Sequence, residues 1–286
     1  MYLLLSRLIH ENERIMLTDE TLNRKIHEAN VSVHRNEAQY YEQLHPEVYS
    51  TQEQKRIADR LKMIDKLLKS NHKNALDVGA GTGNLTGKLL RMGYKVTAVD
   101  ISPEMCAILQ KKYASYVTSN KLTVINQPIE NLTFELGKFD VITCYSVLHH
   151  LPDYLAALQS LSLFLRKGGA IYIDHEASPY YWRREANRLT SLIKDVYFHS
   201  NPIINSLYFQ IIGLKVPLID YSLSDYWHKK EHPLNHKIIE QILKKENYQF
   251  SKRTDYYQSS TWIPNPLSII YRLTCAPEMS FWIAKK

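Results

Sequence analysis

A doubly wound α/β fold around a mostly parallel, seven-stranded sheet is the architecture that this 286-residue sequence predicts. Three observations predict it: short apolar runs recur along the chain, helix-spaced segments separate them, and a glycine-rich loop after the first run opens a helix. The predicted strands are Ala75 to Val78, Lys95 to Asp100, Leu122 to Gln127, Lys138 to Tyr145, Ala170 to Asp174, Gln249 to Tyr256 and Ser280 to Ala284. The alternation lapses after the fifth strand, which predicts an insertion there.

The loop after the first strand favours contact with a flat ligand. Gly79, Gly81 and Gly83 alternate along it, and helical spacing resumes at Asn84 and continues to Met92. Because glycine lacks a Cβ atom, this loop can turn sharply and approach a ligand closely, with the amides of the following helix facing that ligand. A nucleotide-like ligand is therefore predicted at this end of the sheet.

Two acidic strand ends narrow the class of ligand. Asp77 lies near the end of the first strand, where its carboxylate would repel a pyrophosphate and attract an ammonium group. The G-x-G-x-G spacing also differs from the G-x-G-x-x-G of pyrophosphate-binding loops, and no P-loop lysine follows. Asp100 ends the second strand, about 20 residues past the glycine loop, where a ribose-binding carboxylate belongs. A ligand with a ribose, an ammonium group and no phosphate describes S-adenosylmethionine.

Four segments, spread over about a hundred residues, then occur in a recognisable order. They are Leu76 to Gly83, Val99 to Met105, Phe139 to His150, and Leu165 to Gly169. In these segments the chain resembles the class I S-adenosylmethionine-dependent methyltransferases, specifically the small-molecule branch with the ubiquinone and menaquinone biosynthesis enzymes. The resemblance implies a Rossmann-like sheet, S-adenosyl-L-methionine as methyl donor, S-adenosyl-L-homocysteine as product, and an adenine ring held between Ile101 and Met105.

The adenine edge departs from the family pattern. The resemblance implies an acidic residue shortly after the third strand, which would accept a hydrogen bond from the adenine amino group, but Pro128 occupies that position. Gln127, Ile129 or a main-chain carbonyl could take over this contact. Tyr145, at the carboxyl end of the fourth strand, is also predicted to bind the cofactor, since ligands of open α/β sheets lie at that edge.

A general base is needed only when the acceptor atom carries a proton. The candidates follow the fourth and fifth strands: His149, His150, His175 and Glu176. We predict His175 and His149 as catalytic residues, because an imidazole accepts a proton near neutral pH. A structural role for the paired histidines is the alternative.

A metal ion is not expected from the sequence. His228, His232 and His236 recur at four-residue spacing, as three ligands on one helical face would. Pro233 breaks such a helix, however, and nothing resembles the carboxylate ligands of catechol-type methyltransferases.

Composition indicates an ordinary soluble globular protein, with 44% hydrophobic and 23% charged residues. The net charge is +7, but basic residues are scattered, so a nucleic-acid partner is not favoured.

Cys106, Cys144 and Cys275 are few and far apart, which predicts neither a disulfide framework nor a metal site and favours a reducing cytoplasm. The apolar first nine residues are too short to span a bilayer, so no membrane span is expected.

Four regions are predicted along the chain: an N-terminal helical cover at 1–70, the cofactor-binding core at 71–177, an aromatic-rich helical lid at 178–234, and the completion of the sheet at 235–286. Tyr40 or Tyr41 in the cover is predicted to help close the site. The insertion is too long for an ordinary loop and begins beside His175, which favours a lid over the compatible reading of a packed helical subdomain.

Three functions remain open at this stage. The first is a methyltransferase that moves a methyl group to an O, N or C atom of a small metabolite. The second is an RNA methyltransferase, and the third is a module that binds S-adenosylmethionine without catalysis. The sequence does not indicate the acceptor or the oligomeric state.

Overall fold

The computed structural model describes residues 20–68, 72–181, 221–229, 231–245, 248–256, 277 and 279–286. Its strands are β1 Asn74–Val78, β2 Lys95–Asp100, β3 Leu122–Asn126, β4 Phe139–Tyr145, β5 Leu165–Ala177, β6 Phe250–Tyr256 and β7 Met279–Lys285. They form one seven-stranded sheet in the order β3-β2-β1-β4-β5-β7-β6. The first five strands pair in parallel, whereas β7 runs antiparallel to both β5 and β6. The predicted mostly parallel, seven-stranded sheet is confirmed.

Helices precede the sheet and connect its strands. In the described part of the chain they are α1 Glu20–Glu37, α2 Tyr41–Leu44, α3 Pro46–Tyr49, α4 Thr51–Leu68, α5 Asn84–Arg91, α6 Pro103–Lys112, α7 Ala114–Thr118, α8 Tyr154–Phe164 and α9 His236–Lys245. Short 3₁₀ turns span Ala38–Tyr40, Ile129–Asn131 and Leu148–His150. Ser102 caps α6 by accepting a hydrogen bond from the Met105 amide, and Pro103 occupies the first turn.

The sheet is covered on both faces, because successive residues of each strand point to opposite sides. On one face Leu76 and Ile142 pack in a cluster with residues of α8 and α9. On the other face Ala75 and Val141 pack with residues of α4 and α5. Two apolar layers therefore enclose the parallel strands, which explains why these strands read as continuous apolar runs.

The fifth strand is longer than the predicted Ala170 to Asp174. It begins at Leu165, directly after α8, and ends at Ala177. The pairing register shifts between Phe139 and Val141 of β4, so Gly168 and Gly169 lie in a bulge inside the strand. Tyr113 separates α6 from α7, and its hydroxyl donates to the Gly83 carbonyl at 3.1 Å.

The predicted lid lies mostly outside the described residues, which omit 182–220 and 230, so its helical structure remains a prediction. The described segment 221–229 packs against the turn after β4. The Trp227 indole donates to the Leu151 carbonyl at 2.8 Å, and the Trp227 amide donates to the His149 carbonyl at 3.2 Å. Among the helices that can be described, none combines the length and the apolar character that a membrane crossing requires.

Candidate active site

A pocket with about 700 Å³ of empty space, open to solvent, lies at the carboxyl ends of β1, β2 and β4. This is the edge at which open α/β sheets bind ligands. Eight of the predicted cofactor-binding residues line it: Gly79, Gly81, Asp100, Ile101, Met105, Gln127, Ile129 and Tyr145. Tyr41 also lines it, and its role in closing the site stays a prediction.

The glycine loop and the end of β2 are joined by hydrogen bonds. One oxygen of the Asp100 carboxylate accepts from the Gly81 amide at 2.7 Å, and the other accepts from the Ser102 amide at 2.9 Å. Asp100 is 8% exposed and lines the pocket. Because each carboxylate oxygen has two lone-pair directions, both oxygens retain capacity for a ligand hydroxyl.

Gly81 leaves room for a ligand. Its φ is +52°, in the region that favours glycine, and a Cβ atom built there would meet nothing within 4 Å. Since Gly81 lines the pocket, a side chain at this position would occupy pocket space. These residues therefore fit a flat, phosphate-free nucleoside that lies against bare backbone beside a carboxylate.

Two predicted cofactor residues lie outside the pocket lining, Asp77 and Gly83. Asp77 is 2% exposed, and its carboxylate accepts hydrogen bonds from Thr86 at 2.6 Å and Thr143 at 2.7 Å. Burial raises the pKa of Asp77 to about 6. Its hydrogen bonds join β1, α5 and β4 beneath the loop, which gives this carboxylate a structural role, and its contact with a ligand ammonium group stays a prediction. Gly83 instead packs against the Tyr113 ring.

Helix α1 supplies a wall of the pocket that sequence reasoning missed. His27, Asn30 and His34 line the pocket from one face of α1, at spacings of three and four residues. Asn30 is 4% exposed and donates to the His150 carbonyl at 2.8 Å. The sequence could have indicated this wall, because these polar residues recur at helical spacing inside the predicted N-terminal cover.

At the predicted adenine side, an acidic residue is present two positions after Pro128. Glu130 lines the pocket and lies 3.4 Å from His27 Nε2. Burial acts to raise the pKa of Glu130, but the hydrogen bond and charge of His27, together with a backbone hydrogen bond, outweigh it and the pKa is lowered. Gln127 also lines the pocket, and its side chain donates to the Asn131 carbonyl at 3.3 Å.

Tyr145 is anchored by an ionic network beneath the pocket. Its hydroxyl donates to Glu53 at 2.8 Å, and Glu53 accepts two hydrogen bonds from Arg56 at 2.8 and 2.6 Å. Arg56 also donates to Asp174 at 2.7 Å. The Tyr145 ring is thereby held at the pocket edge, with its hydroxyl directed toward α4 rather than toward a ligand.

His175 lies next to the pocket without lining it. Its ring stacks on Tyr145 with centroids 4.9 Å apart, and its Nδ1 lies 3.3 Å from the hydroxyl of Ser146, which does line the pocket. Ser146 and His175 have φ values of +58° and +63°. Such conformations cost free energy in residues other than glycine and concentrate at functional sites. The predicted base is thus separated from the pocket by Ser146 and Tyr145.

His149 is also set back from the pocket, whereas His150 lines it. His149 Nδ1 lies 2.7 Å from Glu176 Oε2, while Glu176 Oε1 accepts from the amides of Val147 at 3.0 Å and Leu148 at 2.8 Å. Burial lowers the pKa of His149, and likewise of His150, to about 4. Glu176 therefore holds the turn after β4, and the structure does not bring His149 to the pocket as a base.

Comparisons with known proteins agree with this geometry. Residues 76–173 match the family model described as a methyltransferase domain. The chain is 35% identical over 100 residues to a ubiquinone biosynthesis O-methyltransferase of Xanthomonas campestris pv. campestris, covering 35% of this chain and 41% of that protein. It is 31% identical over 116 residues to the corresponding protein of Xanthomonas axonopodis pv. citri, covering 40% of this chain and 48% of the relative. The chain thus spans less than half the length of these relatives.

Solved structures show the same fold at low sequence identity. A SAM-dependent methyltransferase of Archaeoglobus fulgidus aligns with a TM-score of 0.53 and 15% identity, covering 86% of this chain and all of that one. One from Mesorhizobium loti aligns with a TM-score of 0.53 and 16% identity, covering 79% and 96%. The fold is the Rossmann-like fold of these methyltransferases. Residues 76–173 match a methyltransferase domain and are similar to the ubiquinone biosynthesis O-methyltransferases.

Proposed function

We propose that the protein transfers a methyl group from S-adenosylmethionine to an oxygen atom of a small, partly apolar metabolite. The observation that carries the proposal is the open backbone at Gly81 beside the Asp100 carboxylate, at the carboxyl edge of the sheet. The cofactor supplies an electrophilic methyl group on a sulfonium. An oxygen acceptor is proposed because the curated relatives are named O-methyltransferases.

The residues that would hold the cofactor follow from their places in the pocket. Gly79 and Gly81 give close approach to the backbone, and Asp100 would accept hydrogen bonds from the two ribose hydroxyls. Ile101 and Met105 would pack on the adenine faces. Glu130, whose lowered pKa keeps it a carboxylate, would accept from the adenine amino group.

The acceptor would occupy the part of the pocket near the turn after β4. Apolar side chains of Val147, Leu151 and Pro152 meet polar ones of His34 and His150 there. Such a mixed wall suits a small molecule with one polar reacting group on an apolar body. Holding that group in line with the methyl donor and excluding water are the tasks that the protein performs in this reaction.

A label-transfer experiment tests the proposal. Purified protein is incubated with S-adenosylmethionine that carries a radiolabelled methyl group, together with either a small-molecule extract of cells or total RNA. We expect label in small molecules. Base-stable label excludes a methyl ester, and the NMR shift of the transferred methyl group distinguishes an O-methyl ether from an N- or C-methyl product. Label only in RNA would replace this function by RNA methylation, and binding without transfer to either fraction would indicate a cofactor-binding module.

A cytoplasmic location belongs to the same proposal, because Cys106 and Cys144 are free thiols.

A further inference from the structure

A group of potential metal ligands lies beside the pocket, where segment 221–229 meets the turn after β4. His149, His150 and Asp225 each offer one ligand atom, and these atoms all lie within 4.8 Å of one another. The ring of His228 adjoins them, with its centroid 5.3 Å from that of His149. We refer to these four residues as the histidine cluster.

The cluster combines residues in a way that the sequence did not indicate. His228, His232 and His236 do not share a face, since the ring of His232 stacks on Tyr226 and that of His236 lies against Trp282. Only His228 of the three adjoins His149. Two hydrogen bonds from Trp227, to the carbonyls of His149 and Leu151, hold its segment against the turn.

Hydrogen bonds orient the two adjacent imidazoles as metal ligands are oriented. His150 Nδ1 lies 2.8 Å from the Ser224 carbonyl, which can only accept, and 3.4 Å from Asp225 Oδ1, so Nδ1 carries the proton and Nε2 is the nitrogen left to bind an ion. His149 Nδ1 lies 2.7 Å from Glu176, whose other oxygen accepts two main-chain amides. In metal sites, each histidine commonly donates its other ring N–H to a carboxylate or a carbonyl, which sets the orientation of the imidazole.

We propose that His149, His150 and Asp225, with His228 adjoining them, bind one divalent transition-metal ion, of which Zn²⁺ is the best match. Imidazole nitrogens with a single carboxylate suit Zn²⁺, whereas Mg²⁺ and Ca²⁺ prefer oxygen ligands. The Asp225 side chain is 35% exposed and His150 lines the pocket, so the site is accessible from the pocket. An ion held there could contact a polar atom of the acceptor; this consequence rests on the proposed function, whereas binding of the ion does not.

Zn²⁺ binding by the purified full chain tests the proposal without any methyl acceptor. The affinity tag is removed, metals are stripped with a chelator, and Zn²⁺ is titrated by calorimetry, with the bound metal measured by mass spectrometry. We expect one Zn²⁺ per chain and a loss of affinity of at least tenfold in His150→Gln and in Asp225→Asn. His72→Gln is the matched control, because His72 is exposed and precedes β1 at the opposite edge of the sheet.

Absence of Zn²⁺ binding in the wild-type protein, or equal affinity in the wild type and both cluster variants, would overturn the proposal. X-ray absorption at the zinc edge of the wild-type complex gives a readout that does not depend on whether a variant folds. It should show imidazole scattering and ligands at about 2.0 to 2.1 Å, and a sulfur ligand would contradict the site. Neither measurement depends on catalytic turnover. A failure of the proposed methyl transfer can therefore be distinguished from a failure of the proposed metal site.

Discussion

The side-chain amide of Asn30 donates a hydrogen bond to the main-chain carbonyl of His150 across 120 positions in the chain, with an N–O distance of 2.8 Å. The same amide also donates to the Ile26 carbonyl at 3.0 Å. This pair of bonds ties α1, which lies before the sheet in sequence, to the turn that follows β4. The N-terminal helix is therefore a structural part of the pocket rather than a detached cover.

Replacing Asn30 by Asp tests this tie. The variant keeps the shape of the side chain but places a carboxylate against two carbonyl oxygens, so we expect a loss of unfolding free energy of about 2 kcal/mol. KM for the cofactor should rise, because His27 and His34 lie on the same helix face. Urea denaturation and steady-state kinetics measure both effects, with Glu28→Gln, an exposed change on the same helix, as control. Unchanged stability would show that α1 is held by other contacts.

Gly81→Val should abolish binding of S-adenosylhomocysteine, because its side chain would enter the pocket. Gly168→Val is a matched control. Both glycines have a positive φ and nothing within 4 Å of a built Cβ, but Gly168 lies in the β5 bulge, away from the pocket. Both variants should lose about 1 to 3 kcal/mol of stability through backbone strain. Calorimetry should show lost affinity in Gly81→Val alone; equal affinity in the two variants would remove Gly81 from the site.

Asp77→Asn separates the structural role of this residue from the cofactor contact that the sequence suggested. Since the Asp77 side chain lies outside the pocket and bonds to Thr86 and Thr143, we expect the affinity for S-adenosylmethionine to change by less than about threefold. Equilibrium binding to the folded variant measures this. A loss of tenfold or more, with stability retained, would restore a direct electrostatic role for this carboxylate.

The stability of the protein should depend on pH through His45. Burial acts to lower the His45 pKa, but hydrogen bonds with Glu37 and Glu47 outweigh it and raise the pKa to about 10. Because the unfolded value is about 6.5, the charged imidazole stabilises the fold fully below that pH, and this contribution is lost as the pH rises toward 10. His45→Gln should therefore cost about 2 kcal/mol at pH 6 and distinctly less at pH 9.5. A cost that is equal at both pH values in urea denaturation would contradict this pairing.

The sheet and the cofactor loop could be predicted because local sequence determines them. Continuous apolar runs indicate buried parallel strands. Glycines at positions 79, 81 and 83 indicate a sharp loop that a ligand can approach closely. Asp100 could be placed because its distance from that loop is set by one strand and one helix. Position along the strand is therefore enough to locate such residues at the carboxyl edge of the sheet.

Side-chain direction and long-range packing could not be predicted in the same way. Asp77 lies in β1 and its side chain bonds to Thr86 beneath the loop, whereas Gly81 lies in the loop itself and faces the pocket. The sequence places both residues near the end of the strand but does not show which of them faces a ligand. The placement of His27 and Asn30 depends on how α1 packs across the sheet. The grouping of His228 with His149 depends on Trp227, about 80 residues from that turn, and sequence spacing carries no signal for such a contact.

A crystal structure with S-adenosylhomocysteine bound tests the central claim most directly. We predict that the nucleoside will lie against Gly81, with both ribose hydroxyls within hydrogen-bonding distance of Asp100 and the adenine between Ile101 and Met105. A nucleoside bound elsewhere, or a glycine loop that contacts no ligand at saturating concentration, would contradict the assignment of this pocket as the methyl-donor site.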